Sequence, residues 1–154
     1  MTQEQDYGQL YREIGPQLWR AIFVYSGGRR DVADDAVAEA FARAIEHDAT
    51  ISRPYPWLYR VAFRLAAAEL RRDPTQDPAD GVHVDDPVTG DLLPALRTLS
   101  PSQRAAVFLH YQADLPVREV ARLMGTSTAA VKVHLHRGRN RLRELLGTEE
   151  VDDA

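Results

Sequence analysis

The stretch GTSTAAVKVHLHRGRNRLRELLG, residues 125–147, carries Lys132, Arg137, Arg139, Arg141 and Arg143 against a single acid, Glu144. Fixed positive charge at this density neutralises a polyanion and releases its counterions. At about 100° per residue, a helix here gathers Val131, Leu135, Leu142, Leu145 and Leu146 on one side, the core face. Lys132, His136, Arg139 and Arg143 form a stripe a quarter-turn away, and Arg137 and Arg141 project from the far side. His134 and His136 cannot share a metal ion, because i and i+2 project about 160° apart on a helix. His47, His83 and His110 have no partner at ligand spacing. The chain has no Cys, no Ser/His/Asp order, no phosphate-cradling glycine loop and no convincing carboxylate pair. These absences argue against an enzyme and against any metal or cofactor.

The residues before this stretch decide what the basic helix is for. Pro116 opens a helix that ends at Gly125; Ser127 caps the basic helix and Gly147 terminates it. A short helix, a glycine turn and a second helix with a basic stripe form a helix-turn-helix. The second helix of such a unit fits the major groove, with its N-terminal residues at base edges. A solvated cationic face is the alternative for an isolated arginine-rich helix; the preceding helix and turn favour DNA. Upstream, DLLPALRTL is a short helix. SPSQ at 100–103 is a capping box with Pro101 at the first helical position, and its helix runs to about Tyr111.

The N-terminal part reads as helical throughout. Tyr7, Leu10, Tyr11, Ile14 and Leu18 recur at helical spacing, and Gly15-Pro16 predicts a break or kink. Ser26-Gly27-Gly28 stops the chain. Asp31 is placed to cap a second helix, whose apolar stripe is Val37, Phe41, Ala44 and Ile45. HDATISRPYP is a loop, and WLYRVAFRLAAAELRR forms a third helix starting near Pro56.

The net charge of −4 hides a segregation. Acids and bases balance over 1–72; six acids and no base fall in 73–91; the excess of bases lies in 92–147; the tail 148–154 is acidic. Residues 73–91, rich in Pro and Gly and poor in large apolar groups, cannot bury enough surface to offset ordering entropy and read as a flexible linker. The expected fold class is therefore all-α, with two small helical domains at 1–72 and 92–147 joined by an acidic tether. No apolar run approaches the roughly 18 residues of a membrane span, and the N-terminus lacks a signal peptide's basic-then-apolar order. A cytoplasmic protein without membrane insertion is expected.

LSPSQRAAVFLHYQADLPVREVARLMGTSTAAVKVHLHRGRNRLRELL resembles region 4 of bacterial sigma factors of the extracytoplasmic-function (ECF) group, within the sigma-70 family. DVADDAVAEAFARAI followed by WLYRVAFRLAAAELRR is similar to their region 2. The resemblance implies a monomer that binds core RNA polymerase through its β′ and β subunits, recognises −10 and −35 promoter elements and helps melt DNA, with an anti-sigma factor as a further partner. Asp35 and Glu39, with Arg43, match positions that face the β′ coiled coil; these three also form an i,i+4 series on one helix. Arg53, Tyr55, Trp57, Tyr59, Arg60 and Arg64 match the segment that captures the unpaired −10 strand by stacking in a positive groove. Trp57 and Val61, at i,i+4, fit a core equally well, and for Trp57 core packing is the better reading. Lys132, Val133, His136 and Arg137, with Ser127 and Thr128 at the helix start, match the −35 readers; His110 and Arg118 match backbone contacts. The sequence departs from the pattern at Ala38, Ile45 and Phe63-Arg64.

Two other readings compete. A LuxR-type regulator would bind DNA without polymerase, but needs an upstream sensory domain, usually built with strands, and 1–72 offers none. A sigma-like protein kept only as an interaction module is the third.

Overall fold

The computed structural model describes residues 5–72 and 93–146. The expected linker at 73–91, the tail at 148–154 and the terminator Gly147 lie outside them. The described chain is helical, with no strand: α1 Tyr7–Tyr25, α2 Arg30–Glu46, a 3-10 turn Asp48–Thr50, α3 Pro54–Arg72, α4 Leu93–Leu96, α5 Pro101–Val107, a π-helical turn Phe108–Gln112, α6 Val117–Met124 and α7 Thr128–Leu146.

In the N-terminal half, α1, α2 and α3 pack around Leu18, Ile22, Phe23, Val37, Phe41, Leu58 and Phe63. Aromatic contacts join the helices: Tyr11 meets Phe41 edge-on at 5.1 Å, and Tyr25 meets Phe63 at 5.0 Å. The Trp19 indole reaches α2 by donating to Asp34 Oδ1 at 2.7 Å.

Three sequence expectations are corrected here. α1 runs unbroken through Pro16. Pro16 is exposed, so the carbonyl it leaves unpaired faces water, while buried Ile14, Leu18, Ala21 and Ile22 hold the helix on the core. Asp31 is not the cap of α2. Arg29 occupies that position without a side-chain cap bond, and Asp31 sits in the first turn, bound to the Arg29 guanidinium at 2.8 Å. That guanidinium holds the Asp31 carboxyl below its ordinary range. α3 begins at Pro54, two residues before the expected start, with a proline at its first position where no N–H is needed.

The C-terminal half follows its caps. Ser100 and Gln103 make the reciprocal capping box at the head of α5. α5 then widens into the π turn, where Ala113 N–H reaches back to Phe108 O at 3.1 Å. Gly125, at φ 70°, closes α6 in the left-handed conformation a side chain resists. The two halves pack together: α1 lies on α5, and α3 on α6.

Candidate nucleic-acid and polymerase interfaces

α6 and α7 form the helix-turn-helix. After Gly125 the chain turns, Ser127 Oγ accepts from Ala130 N–H at 3.1 Å, and α7 begins. Val131 and Leu135 are buried and pin α7 to the core. Gly138 brings α7 close to α5: a Cβ there would sit 2.8 Å from Val107 Cγ2 and 3.0 Å from Leu99 Cδ2. This contact was missed in the sequence, where a helical glycine marks no face. The expected core face ends early, since Leu142 is half-buried and Leu145 is 43% exposed. Leu145 lies in the last turn of α7, where it is left to solvent.

With α7 so fixed, Ser127, Thr128, Lys132, Val133, His136 and Arg137 all lie on exposed surface. Val133 is an exposed aliphatic group amid polar neighbours, a shape that suits the methyl of thymine. His136 Nε2 lies 3.2 Å from the Asn140 amide nitrogen, which fixes the ring on the helix surface. Arg139 is tied down, donating to the Tyr111 hydroxyl at 2.9 Å, so it braces α7 against the π turn. Arg141 pairs with Glu144 at 3.5 Å. His110 is half-buried with Nδ1 2.8 Å from Leu115 O. A carbonyl accepts only, so Nδ1 carries the proton and Nε2 is left for an outside partner. Arg118 is exposed on α6.

The second constellation lies on α2 and α3. Asp35 and Glu39 are exposed, as their spacing implied, and Glu39 accepts from Arg43 at 3.0 Å. They line a groove of about 530 Å³ with Ala38, Ala42, Leu65 and Glu69. Leu65 and Glu69 come from α3 and were missed, because only the packing of two helices brings them beside Asp35. Carboxylates flanking small and aliphatic side chains suit a helix that carries both basic and apolar groups. Ala38, a departure from the resembled pattern, lines the groove with a small side chain, and Ile45 is 61% exposed.

The third constellation is the start of α3. Arg53, Trp57, Arg60 and Arg64 recur at helical spacing; the three arginines are exposed and Trp57 is half-buried against the core. Tyr55 is half-buried and stacks on Tyr59 at 5.1 Å. Tyr59 corrects the sequence reading: it is fully buried between α3 and its neighbours, so its ring offers no face to a base. Burial pushes its phenol up, with the Tyr55 phenol adding to the effect, and among the described residues its hydroxyl finds no hydrogen-bond partner. Arg122, unassigned from sequence, comes from α6 to line a cavity of about 300 Å³ with Arg53, Trp57 and Arg60.

Residues 90–142 match the Sigma-70, region 4 family. The chain is 27% identical to the ECF RNA polymerase sigma factor SigE of Mycolicibacterium smegmatis, covering 96% of this chain and 64% of that protein. It is 29% identical to the ECF RNA polymerase sigma factor BldN of Streptomyces coelicolor, over 96% of this chain and 61% of BldN. With the RNA polymerase sigma factor CarQ of Myxococcus xanthus, identity is 36% over 67% of this chain and 66% of CarQ. The chain thus spans less than two thirds of the length of these relatives. Its fold is similar to the sigma factor RpoE of Bartonella quintana, solved with the anti-sigma factor NepR, at a TM-score of 0.73 and 24% identity over 96% of this chain and 99% of that one. A helix-turn-helix with an open basic helix, an acidic groove on α2, and relatives that align along nearly the whole chain agree: the chain belongs to the ECF group of the sigma-70 family.

Proposed function

We propose that this protein is a transcription initiation factor, not an enzyme, that binds core RNA polymerase and directs it to promoters. The observation that carries the reading is α7. Val131, Leu135 and Gly138 hold its inner side rigidly, which leaves Lys132, Val133, His136 and Arg137 open together near its N-terminal end. That is the end a recognition helix presents to base edges. Lys132 and His136 read the −35 element; Val133 adds apolar contact. Arg137, Arg143, Arg118 and His110 Nε2 hold phosphates and set register. The groove of Asp35, Glu39 and Glu69 takes a basic helix of the polymerase β′ subunit. Arg53, Trp57, Arg60 and Arg64 take the unpaired −10 strand, with the exposed edge of Tyr55 beside them. An anti-sigma factor, the kind of partner seen with the Bartonella quintana protein, would compete for these surfaces. The protein acts in the cytoplasm, as a monomer until polymerase binds it.

In vitro transcription with cognate core polymerase tests this: promoter-specific transcripts appear only when the protein is added. Binding of promoter duplex by the protein alone, with no effect on polymerase, would favour a LuxR-like regulator. In holoenzyme, Lys132→Ala should cost roughly 1–3 kcal/mol and relax preference at one −35 base pair. Arg143→Ala should weaken all sequences evenly and flatten the salt dependence by about one counterion. Equal losses for both variants on every sequence would reduce α7 to an electrostatic anchor.

A further inference from the structure

Asn140 has no part in the promoter reading, yet it stands one turn beyond His136 and fixes what that ring can offer. Its amide nitrogen lies 3.2 Å from His136 Nε2. An amide nitrogen donates and does not accept, so Nε2 is the acceptor and carries no proton. The proton of the neutral imidazole is then on Nδ1. His136 is exposed, and among the described residues Asn140 is its hydrogen-bond partner, which leaves Nδ1–H to point outward unpaired.

Val133 stands next to that donor. At about 100° per residue, Val133, His136 and Asn140 fall within about 60° of one another. They lie on the side of α7 turned away from buried Val131 and Leu135. Val133 is 45% exposed. At i and i+3, Val133 and His136 are surface neighbours, about 5–6 Å apart at Cβ. An aliphatic group and an N–H donor are thus presented side by side.

The base edges of the major groove sort themselves against this pair. Thymine has a methyl group next to an acceptor, O4. Guanine offers acceptors without a methyl, adenine sets an amino donor beside N7, and the cytosine amino group donates. A donor beside an aliphatic group is complementary to thymine alone.

We infer that Asn140 is a positioning residue that holds His136 as an Nδ1–H donor, so that His136 and Val133 together read one thymine of the −35 element. The ring donates to O4, and the valine covers the methyl. This rests on the promoter reading of α7 and adds to it the base and the residue that sets the donor. Without the Asn140 amide the neutral ring takes either tautomer. One of the two turns a nitrogen lone pair toward O4, where two acceptors repel.

The test uses holoenzyme assembled with cognate core polymerase. The parent protein first selects a −35 element from a randomised library. Each thymine of that element, on either strand, is then replaced singly by uracil, which lacks the methyl, or by 4-thiothymine, whose sulfur accepts hydrogen bonds poorly. At one thymine the parent should lose about fourfold in affinity with uracil and about fivefold with 4-thiothymine. Val133→Ala should bind thymine and uracil alike there and keep the 4-thiothymine loss. Asn140→Leu should do the reverse. His136→Ala should match Asn140→Leu, and the variant carrying both changes should lose no more discrimination than His136→Ala alone. A fold defect would weaken every DNA together and could not split the two replacements in this way.

Full discrimination against 4-thiothymine in a helical Asn140→Leu chain would overturn the role of Asn140. A 5-methylcytosine–guanine pair bound more tightly than thymine–adenine at that position would mean that Nδ1 accepts, and would overturn the donor assignment. An enriched element in which no thymine responds to both replacements would overturn the inference and leave the promoter reading standing. No enrichment of any sequence would remove the promoter reading, and the inference with it.

Discussion

The two halves of the chain make helices by different means. In the N-terminal half the helices are 17 to 19 residues long and share a core of large side chains. In the C-terminal half α5 has 7 residues and α6 has 8; Ser100 and Gln103 fix the start of α5, Gly125 the end of α6, and Ser127 the start of the longer α7. Short helices are marginal without help at their ends, so there local chemistry must agree with the fold. Long helices on an aromatic core can carry a local conflict, and α1 carries Pro16. The contrast extends to charge: the acidic groove is built from two helices, whereas the basic reading surface belongs to one.

The largest effect should come from the core of the N-terminal half. Phe23 is fully buried and stacks on Trp19 at 4.9 Å. Phe23→Ala should cost about 3–5 kcal/mol in urea denaturation. A loss below about 1 kcal/mol would place the stability of this half in its local signals, against the contrast drawn above.

Gly138 offers a sharper test, because its two consequences have opposite signs. In an open helix Gly→Ala gains about 1 kcal/mol. Here the added Cβ would press on Val107 and Leu99, and overpacking costs about 1–3 kcal/mol. Gly138→Ala should therefore lower the denaturation midpoint. A higher midpoint would show that α5 and α7 are less closely packed than their side chains imply.

Caps come next. Ser100→Ala and Ser127→Ala should each cost about 1 kcal/mol. Asp31→Ala should cost less than either, because Asp31 is bound to Arg29 and caps nothing. An equal or larger loss at Asp31 would erase the difference between the halves.

This contrast explains what was legible beforehand. Among the described residues the capping box at Ser100, the stop at Gly125 and the cap at Ser127 were read correctly, since Ser, Gln and Gly act within a few residues of where they stand. The error at Pro16 arises where packing overrides the local signal, whereas at Asp31 the neighbouring Arg29 guanidinium claims the carboxylate and at α3 the earlier of two prolines, Pro54, sets the start. The same holds for the candidate sites. Lys132, His136 and Arg137 were legible because one helix presents them. Leu65, Glu69 and Arg122 were not, because each joins its site only when two helices meet. Tyr59 shows the reverse error: an aromatic among arginines resembles a stacking platform, yet the third dimension turns it inward.

The smallest effect concerns a single bond that closes the N-terminal half. The Tyr7 hydroxyl, at the start of α1, donates to Asp48 Oδ1 at 2.7 Å, in the turn after α2. Burial pushes the Tyr7 phenol up to about 12, and the Asp48 carboxylate adds to the shift by accepting its proton and by its charge. The folded pKa lies above the ordinary value of 10, so the folded state holds this proton over a range where the unfolded chain has lost it. The contribution is complete below the unfolded value and disappears as pH rises through the folded one. Tyr7→Phe should cost about 1 kcal/mol near neutral pH. The gap between parent and variant should stay constant up to about pH 10 and narrow toward pH 12. Because Tyr25 and Tyr59 are also shifted upward, only this difference, and not the absolute curve, isolates Tyr7. Urea melts of both chains from pH 7 upward supply the measurement; a gap that stays constant to the end of the range would mean that the phenol does not hold Asp48 in solution.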